Sequence, residues 1–282
     1  MAGTALRAAA RTIVSQRAAV TPTLIVRRAL PDAGLRSLGP WVFLDHFGPV
    51  DIEAGDMGTP PHPHAGISTV TYLFEGGMHH RDSLGHEGAV GPGGAQWMVA
   101  GRGIEHAERP VPGRLHGLQL WARLPRAAQW REPAYANIDA NRIPVARIGD
   151  AEVRLVAGTL GNLEGPGVPD SPSLLAHLSI AAGGEAVLDT DPGQELGVYV
   201  AAGSAQVAGA GEAQAGELAV LERGPGALSL RAGASGAELI VLGGAPAEQP
   251  LMFHGPFVMD SVAALRQAEA DYHAGKMGFL PR

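Results

Sequence analysis

Short apolar runs broken by turn residues recur along the whole chain. LIVRRAL, PDAG, WVFLDHF and GP follow one another from Leu24 onward, and they read as strands and turns. From Ile67 to Phe74, β-branched and aromatic residues alternate until Glu75-Gly76-Gly77 stops them, which predicts a strand and a tight turn. The pattern continues through MHHRDSLG, GAVGPGG, AQWMVAG and RGIEHAER, and closes in HGLQLWARLP with a strand from about Leu115 to Leu124. Short strands at regular spacing with glycine turns indicate an all-β barrel or sandwich.

Residues 126–139 read as a linker, and RIPVARIGDAEVRLVAG opens a second strand-rich half. There VYVAAGSAQV is placed as TYLFEGGMHH is in the first half, which suggests a structural duplication. DSVAALRQAEADYHAGKMG reads as the one helix, near residues 261–274, with Ser261 as N-cap and Gly275 where it ends. Its Val262/Leu265 stripe needs an apolar partner, so the helix is expected to pack back across the barrels. The expected organisation is a flexible segment over 1–20, a barrel over 21–135, a second barrel over 136–245, and a return segment with the helix over 246–282.

Composition narrows the function. The chain has 282 residues, 45% of them hydrophobic, so it can bury real cores, and its 40 glycines and 22 prolines are scattered as turns rather than packed into a repeat. A net charge of -7 gives no basic footprint, which excludes direct nucleic-acid binding as an expectation. No run of about 18 apolar residues occurs, so a soluble, cytoplasmic protein without a transmembrane helix is expected, with a monomer as the default. Residues 1–20, rich in Ala and Arg and free of acids, share the composition of organelle transit peptides and read more simply as a frayed terminus.

There is no cysteine, so metal chemistry must use imidazole and carboxylate, and the 11 histidines become the residues to inspect. His62 and His64 are an i, i+2 pair, which on a strand places both rings on one side. His106 and Glu108 repeat that spacing after a glycine turn. Together they form a set of three nitrogens and one oxygen that suits Fe(II), placed first, or Mn, Ni, Cu or Zn, with one or two positions open for water, dioxygen or substrate. His79 and His80 are adjacent and so face opposite ways, and they read as hairpin surface residues. His46, His86, His116, His177, His254 and His273 are isolated and read as structural or exposed. Glu105, an odd number of residues from His106, should point away from the site.

The ordered set HPHAGISTVTYLFEGG, HRDSLG, PGGAQWMVAGRGIEHAE and HGLQLW closely resembles the pirin family, and the match extends to WVFLDHFGP, to HGPFVMDS and to the D-Y-x-x-G-K-x-G that follows. The resemblance implies a member of the cupin superfamily with two tandem jelly-roll-like β-barrels, metal in the N-terminal one, and ligands at His62, His64, His106 and Glu108. Many pirins carry Arg and Glu where this chain has Ala65 and Ser68, which implies a less charged barrel entrance. Around LDTDPGQELGVYV the second half lacks the histidine pair and offers only Asp189, Asp191 and Glu195, so a metal-free second barrel is expected.

By the same resemblance, the implied activity is a metal-dependent dioxygenase of quercetinase type, which opens a flavonol with O2 and releases carbon monoxide, with Glu108 as general base. Two alternatives stand beside it: an iron-dependent redox regulator acting through a protein partner, and a cupin enzyme with an unrelated substrate.

Overall fold

The computed structural model describes residues 5–21 and 24–281, and it is built almost wholly of strands. β1 (Ala9–Val14) and β2 (Gln16–Ala19) precede β3 (Ile25–Leu30), β4 (Trp41–Ile52) and β5 (Thr59–His64). A run of hairpins follows: β6 (Ile67–Glu75), β7 (Met78–Asp82), β8 (Glu87–Val90), β9 (Ala95–Val99), β10 (Ile104–Pro110), β11 (Gly113–Arg123) and β12 (Ala134–Ile138). Beyond a 3-10 turn come β13 (Val145–Ile148), β14 (Ala151–Ala157), β15 (Thr159–Leu160), β16 (Leu163–Glu164), β17 (Ser173–Ile180) and β18 (Glu185–Asp189). The last strands are β19 (Glu195–Val207), β20 (Gly211–Gln214), β21 (Glu217–Leu221), β22 (Ala227–Gly244), β23 (Met252–His254) and β24 (Phe257–Met259), and α1 (Val262–His273) follows them. No helix among the described residues is long and apolar enough to cross a membrane.

The chain forms two compact units. The first, called here the N-terminal barrel, comprises residues 17–26, 42–141 and 247–282. A four-stranded sheet in the order β5-β10-β7-β8 carries the histidine motifs, and a seven-stranded sheet in the order β12-β9-β6-β11-β4-β3-β2 supplies the other strands. The second, the C-terminal barrel, comprises residues 1–16, 27–41 and 142–246 around a nine-stranded sheet. Its interior is apolar, with Val153, Leu155, Leu178, Leu196, Val198, Leu228, Leu239 and Val241 among the residues of one buried cluster. Two tandem cupin-type barrels with one short helix are therefore the architecture.

The ends of the chain depart from the expected boundaries. Residues 1–20 are not simply a flexible leader: residues 1–4 lie outside the described residues, but β1 pairs antiparallel with β21, from Ala9 opposite Leu221 to Val14 opposite Glu217. Arg7 anchors the strand by donating from Nε and Nη2 to the Glu222 carbonyl and from Nη2 to that of Gln194. The stretch 126–139 is not only a linker, because β12 pairs with β9 and adds Tyr135 to the N-terminal barrel. Periodicity reports which face a residue takes, and it is silent on which distant strand will be the partner.

The helix forms close to where its caps place it, with the Ser261 hydroxyl accepting from the Ala264 amide. Its buried stripe is Ala264, Leu265 and Ala268, packed with Ala65, Phe257, Met259 and Met277, all within the N-terminal barrel. Val262, expected in that stripe, is 50% exposed.

Candidate metal centre

β5 is an edge strand, which accommodates its prolines because no inward ladder bond is lost there. Its pairing with β10 sets His62 opposite His106 and His64 opposite Ile104. Between His106 and Glu108 the register shifts by one residue, since Glu108 faces Thr59, so a bulge containing Pro60 and Pro61 kinks the strand beside the motif. Gly66 follows at φ 76°, and a Cβ there would stand 2.0 Å from the Val258 carbonyl oxygen, so only glycine lets the β5–β6 turn approach β24.

Three of the four expected ligands converge. His62, His64 and His106 each offer a ring nitrogen, and these atoms lie within 4.8 Å of one another. His62 Nδ1 is 2.8 Å from the Pro60 carbonyl and His64 Nδ1 is 3.1 Å from that of Pro256. A carbonyl only accepts, so Nδ1 carries the hydrogen in both rings and Nε2 keeps its lone pair. His106 is 1% exposed, and both of its ring nitrogens are buried without a hydrogen-bond partner. A buried, unsatisfied imidazole among two others with free Nε2 atoms is a donor set that fits a divalent transition metal, one missing partner being the ion itself.

Electrostatics favour the ligating form. Burial, reinforced by neighbouring His62 and only partly offset by the Pro256 carbonyl, pulls His64 down to about 3. Burial and the three surrounding histidines His62, His64 and His80 push His106 well below the ordinary imidazole range. Both rings are thus neutral at physiological pH, which is the state that binds a metal.

Glu108 stands apart from the three-histidine set. Its Oε1 accepts from the Thr71 hydroxyl at 2.6 Å, and Thr71 Oγ1 is also 2.9 Å from the Gln119 amide. Thr71 has one hydroxyl hydrogen, and since the carboxylate takes it, Gln119 meets Thr71 with its N–H2 group. Glu105 turns the other way, as expected: its carboxylate accepts from the Leu280 amide at 2.6 Å and from the Tyr272 hydroxyl.

The walls around the cluster differ in part from the sequence reading. Trp121 meets the His64 ring edge-on at 4.8 Å and stacks on Phe43 at 4.1 Å, which gives an aromatic side. His79 is exposed, but His80 is 4% exposed and lies against the cluster, so only one of the adjacent pair is a surface residue. His46 and His116 are not isolated, because their Nε2 atoms are 2.7 Å apart in a buried pair. Ala65 and Ser68 are both fully buried. A cavity with a volume of about 920 Å³ is lined by His80, Glu108, Arg81 and Arg109 together with apolar Pro60 and Val111.

Tyr135 and His80 are the site residues that sequence reading missed. The H-R-D-S segment carried a signal for His80, since i, i+2 parity gives it the side of Asp82 rather than of His79 and Arg81. For Tyr135 no local signal existed.

The comparisons with known proteins agree with this architecture. The Pirin family model matches residues 23–122, and the Pirin C-terminal cupin domain matches residues 175–278. A Pseudomonas aeruginosa protein named "Putative quercetin 2,3-dioxygenase" is 37% identical over 246 residues, covering 84% of this chain and 86% of that one. Pirin-like protein 2 of Arabidopsis thaliana is 31% identical over 90% of this chain and 80% of its own. The crystal structure of a quercetin 2,3-dioxygenase from Acinetobacter baumannii superposes with a TM-score of 0.92 at 27% identity, covering 97% of this chain and 99% of that one.

Proposed function

The chain belongs to the pirin family, and from that premise we propose that it is a metal-dependent dioxygenase resembling quercetin 2,3-dioxygenase, acting with O2 on a small hydroxylated substrate of flavonol type. The observation that carries this reading is the convergence of His62, His64 and His106, with Glu108, on the same strand as His106, lining a cavity of about 920 Å³. Relatives and a structural neighbour named for quercetin 2,3-dioxygenase support the substrate class.

His62, His64 and His106 would hold the metal, with Fe(II) as our first choice. When bound, the ion supplies Lewis-acid polarisation of a substrate oxygen and a redox centre for O2. The protein's own groups do the rest. Thr71 occupies Glu108 Oε1, which leaves Oε2 to take the proton of the substrate hydroxyl as general base. Glu108 could join the histidines as a fourth ligand, since a carboxylate oxygen that accepts one hydrogen bond keeps a lone pair for a metal. Trp121 and Phe43 form an apolar wall that keeps bulk water from one side of the cluster.

The test is anaerobic loading with Fe(II), Mn, Ni or Cu, followed by quercetin and O2. Loss of flavonol absorbance that depends on the metal supports the reading, and no turnover with any of the four metals sinks it.

A further inference from the structure

Glu108 on β10 and His80 on β7 are direct partners in the antiparallel register, and both line the cavity. Residues directly opposite each other share a face, so the carboxylate and the imidazole stand side by side. The His80 ring lies 5.4 Å from that of His106 and stacks on Tyr135 at 4.2 Å and 10°. Its Nε2 is 3.3 Å from Asp82 Oδ2, and the Asp82 side chain is fully enclosed.

Asp82 fixes the chemistry of that ring. An ionised carboxylate has no hydrogen to give, so His80 Nε2 must be the donor, and in the neutral ring Nδ1 is the acceptor. Asp82 does not need this partner for its own satisfaction, because it also accepts from His86 Nδ1 at 2.9 Å and from the Leu84 and His86 amides, each at 3.0 Å. The β7–β8 turn is therefore held without His80. What the arrangement adds is a buried imidazole of set tautomer and set plane beside Glu108. Arg81 and Arg109, which also border the cavity, alternate to the other face of their strands, and Arg81 Nη2 is tied to the Pro281 carbonyl at 2.7 Å.

We propose that His80 is a substrate-contacting residue: its Nδ1 accepts a hydrogen bond from a second hydroxyl of the ligand, other than the one that Glu108 deprotonates. The pair then selects molecules with a second hydroxyl in reach of His80 and disfavours those that present a methyl ether at that position. This rests on the reading of the cavity as the substrate's place.

The test compares wild type with His80→Phe, which keeps an aromatic ring on Tyr135 but no nitrogen, and with His80→Asn, whose Oδ1 can accept near the position of Nδ1. Each protein is loaded with nickel without oxygen, its metal content is measured, and its Kd for quercetin is read from the flavonol absorbance shift. Metal content stays equal in all three, His80→Phe binds quercetin about tenfold more weakly, the worth of one hydrogen bond, and His80→Asn recovers most of the loss. Equal Kd values in wild type and His80→Phe, or a weakening that follows lost metal, overturn the proposal. Admitting O2 separates the two readings: His80-dependent binding without turnover by any metal leaves the contact standing and removes the dioxygenase. Turnover with a Kd indifferent to His80→Phe does the reverse, and a wild type that binds no quercetin removes both.

Discussion

The two barrels share an architecture and fill it oppositely. Of the 17 buried polar or charged side chains among the described residues, 14 belong to the N-terminal barrel, while the C-terminal barrel has only Arg7, Ser173 and Ser204. Each uncompensated buried polar group costs about 1–3 kcal/mol, so the first barrel must satisfy its interior with networks such as Glu108–Thr71–Gln119 and His80–Asp82–His86. The second has no such debt, since aliphatic side chains pack its interior. Fold alone therefore says little about chemistry. What separates a scaffold from a site is the inward-facing set of every second residue.

That contrast can be broken experimentally. The largest effect should come from His106→Ala, which removes a buried donor from the cluster: metal measured after purification should fall from close to one per chain to almost none. An ion retained in full would mean that the site lies elsewhere. Next is Glu108→Gln, whose amide cannot take a proton. Because three histidines still hold the ion, turnover per bound metal should drop by about 10²–10⁴ while metal content stays near that of wild type. Activity per metal equal to wild type would reduce Glu108 to a ligand.

In the C-terminal barrel the corresponding experiment is one of stability. Leu239 is fully buried in the aliphatic cluster, and Leu239→Ala should cost about 2–5 kcal/mol in denaturant unfolding without altering metal content. A cost below about 1 kcal/mol would show that this interior is not tightly packed.

The smallest effect concerns the helix of the N-terminal barrel. Lys276 Nζ donates to Asp271 at 2.7 Å and holds that carboxyl below its usual value of 3.8. A depressed carboxylate stabilises the fold above its ordinary pKa, and that contribution disappears as pH falls below 3.8 through the lowered value. Asp271→Asn should flatten this acid limb in Tm measured against pH, and an unchanged limb would show that the pair contributes nothing.

Much of the site was legible because its spacing is local. The i, i+2 rule placed His62 with His64 and turned Glu105 away from His106, and glycine turns announced the hairpins. Glu108 obeys the same parity, and no pattern on β10 could tell of the Thr71 hydroxyl on β6 that donates to its carboxylate. His80 escapes a reading of the dipeptide as one surface feature, because alternation requires one of the two rings to face inward. Tyr135 and β1 share a different cause: their partners β9 and β21 are chosen by the tertiary fold, and sequence distance hides the pairing.

The link between His64 and the Pro256 carbonyl spans 192 residues, and that between Glu105 and the Leu280 amide spans 175. Chain elongation at about 5–20 residues per second separates the synthesis of His64 from that of Pro256 by about 10–40 s. All three histidines thus leave the ribosome well before the carbonyl that fixes one of their tautomers exists. A nascent chain halted short of residue 247 would carry the whole ligand set on an N-terminal barrel still missing its last segment. The centre reaches its final form only after the segment from residue 247 onward has been made, and ion acquisition in that form follows its synthesis.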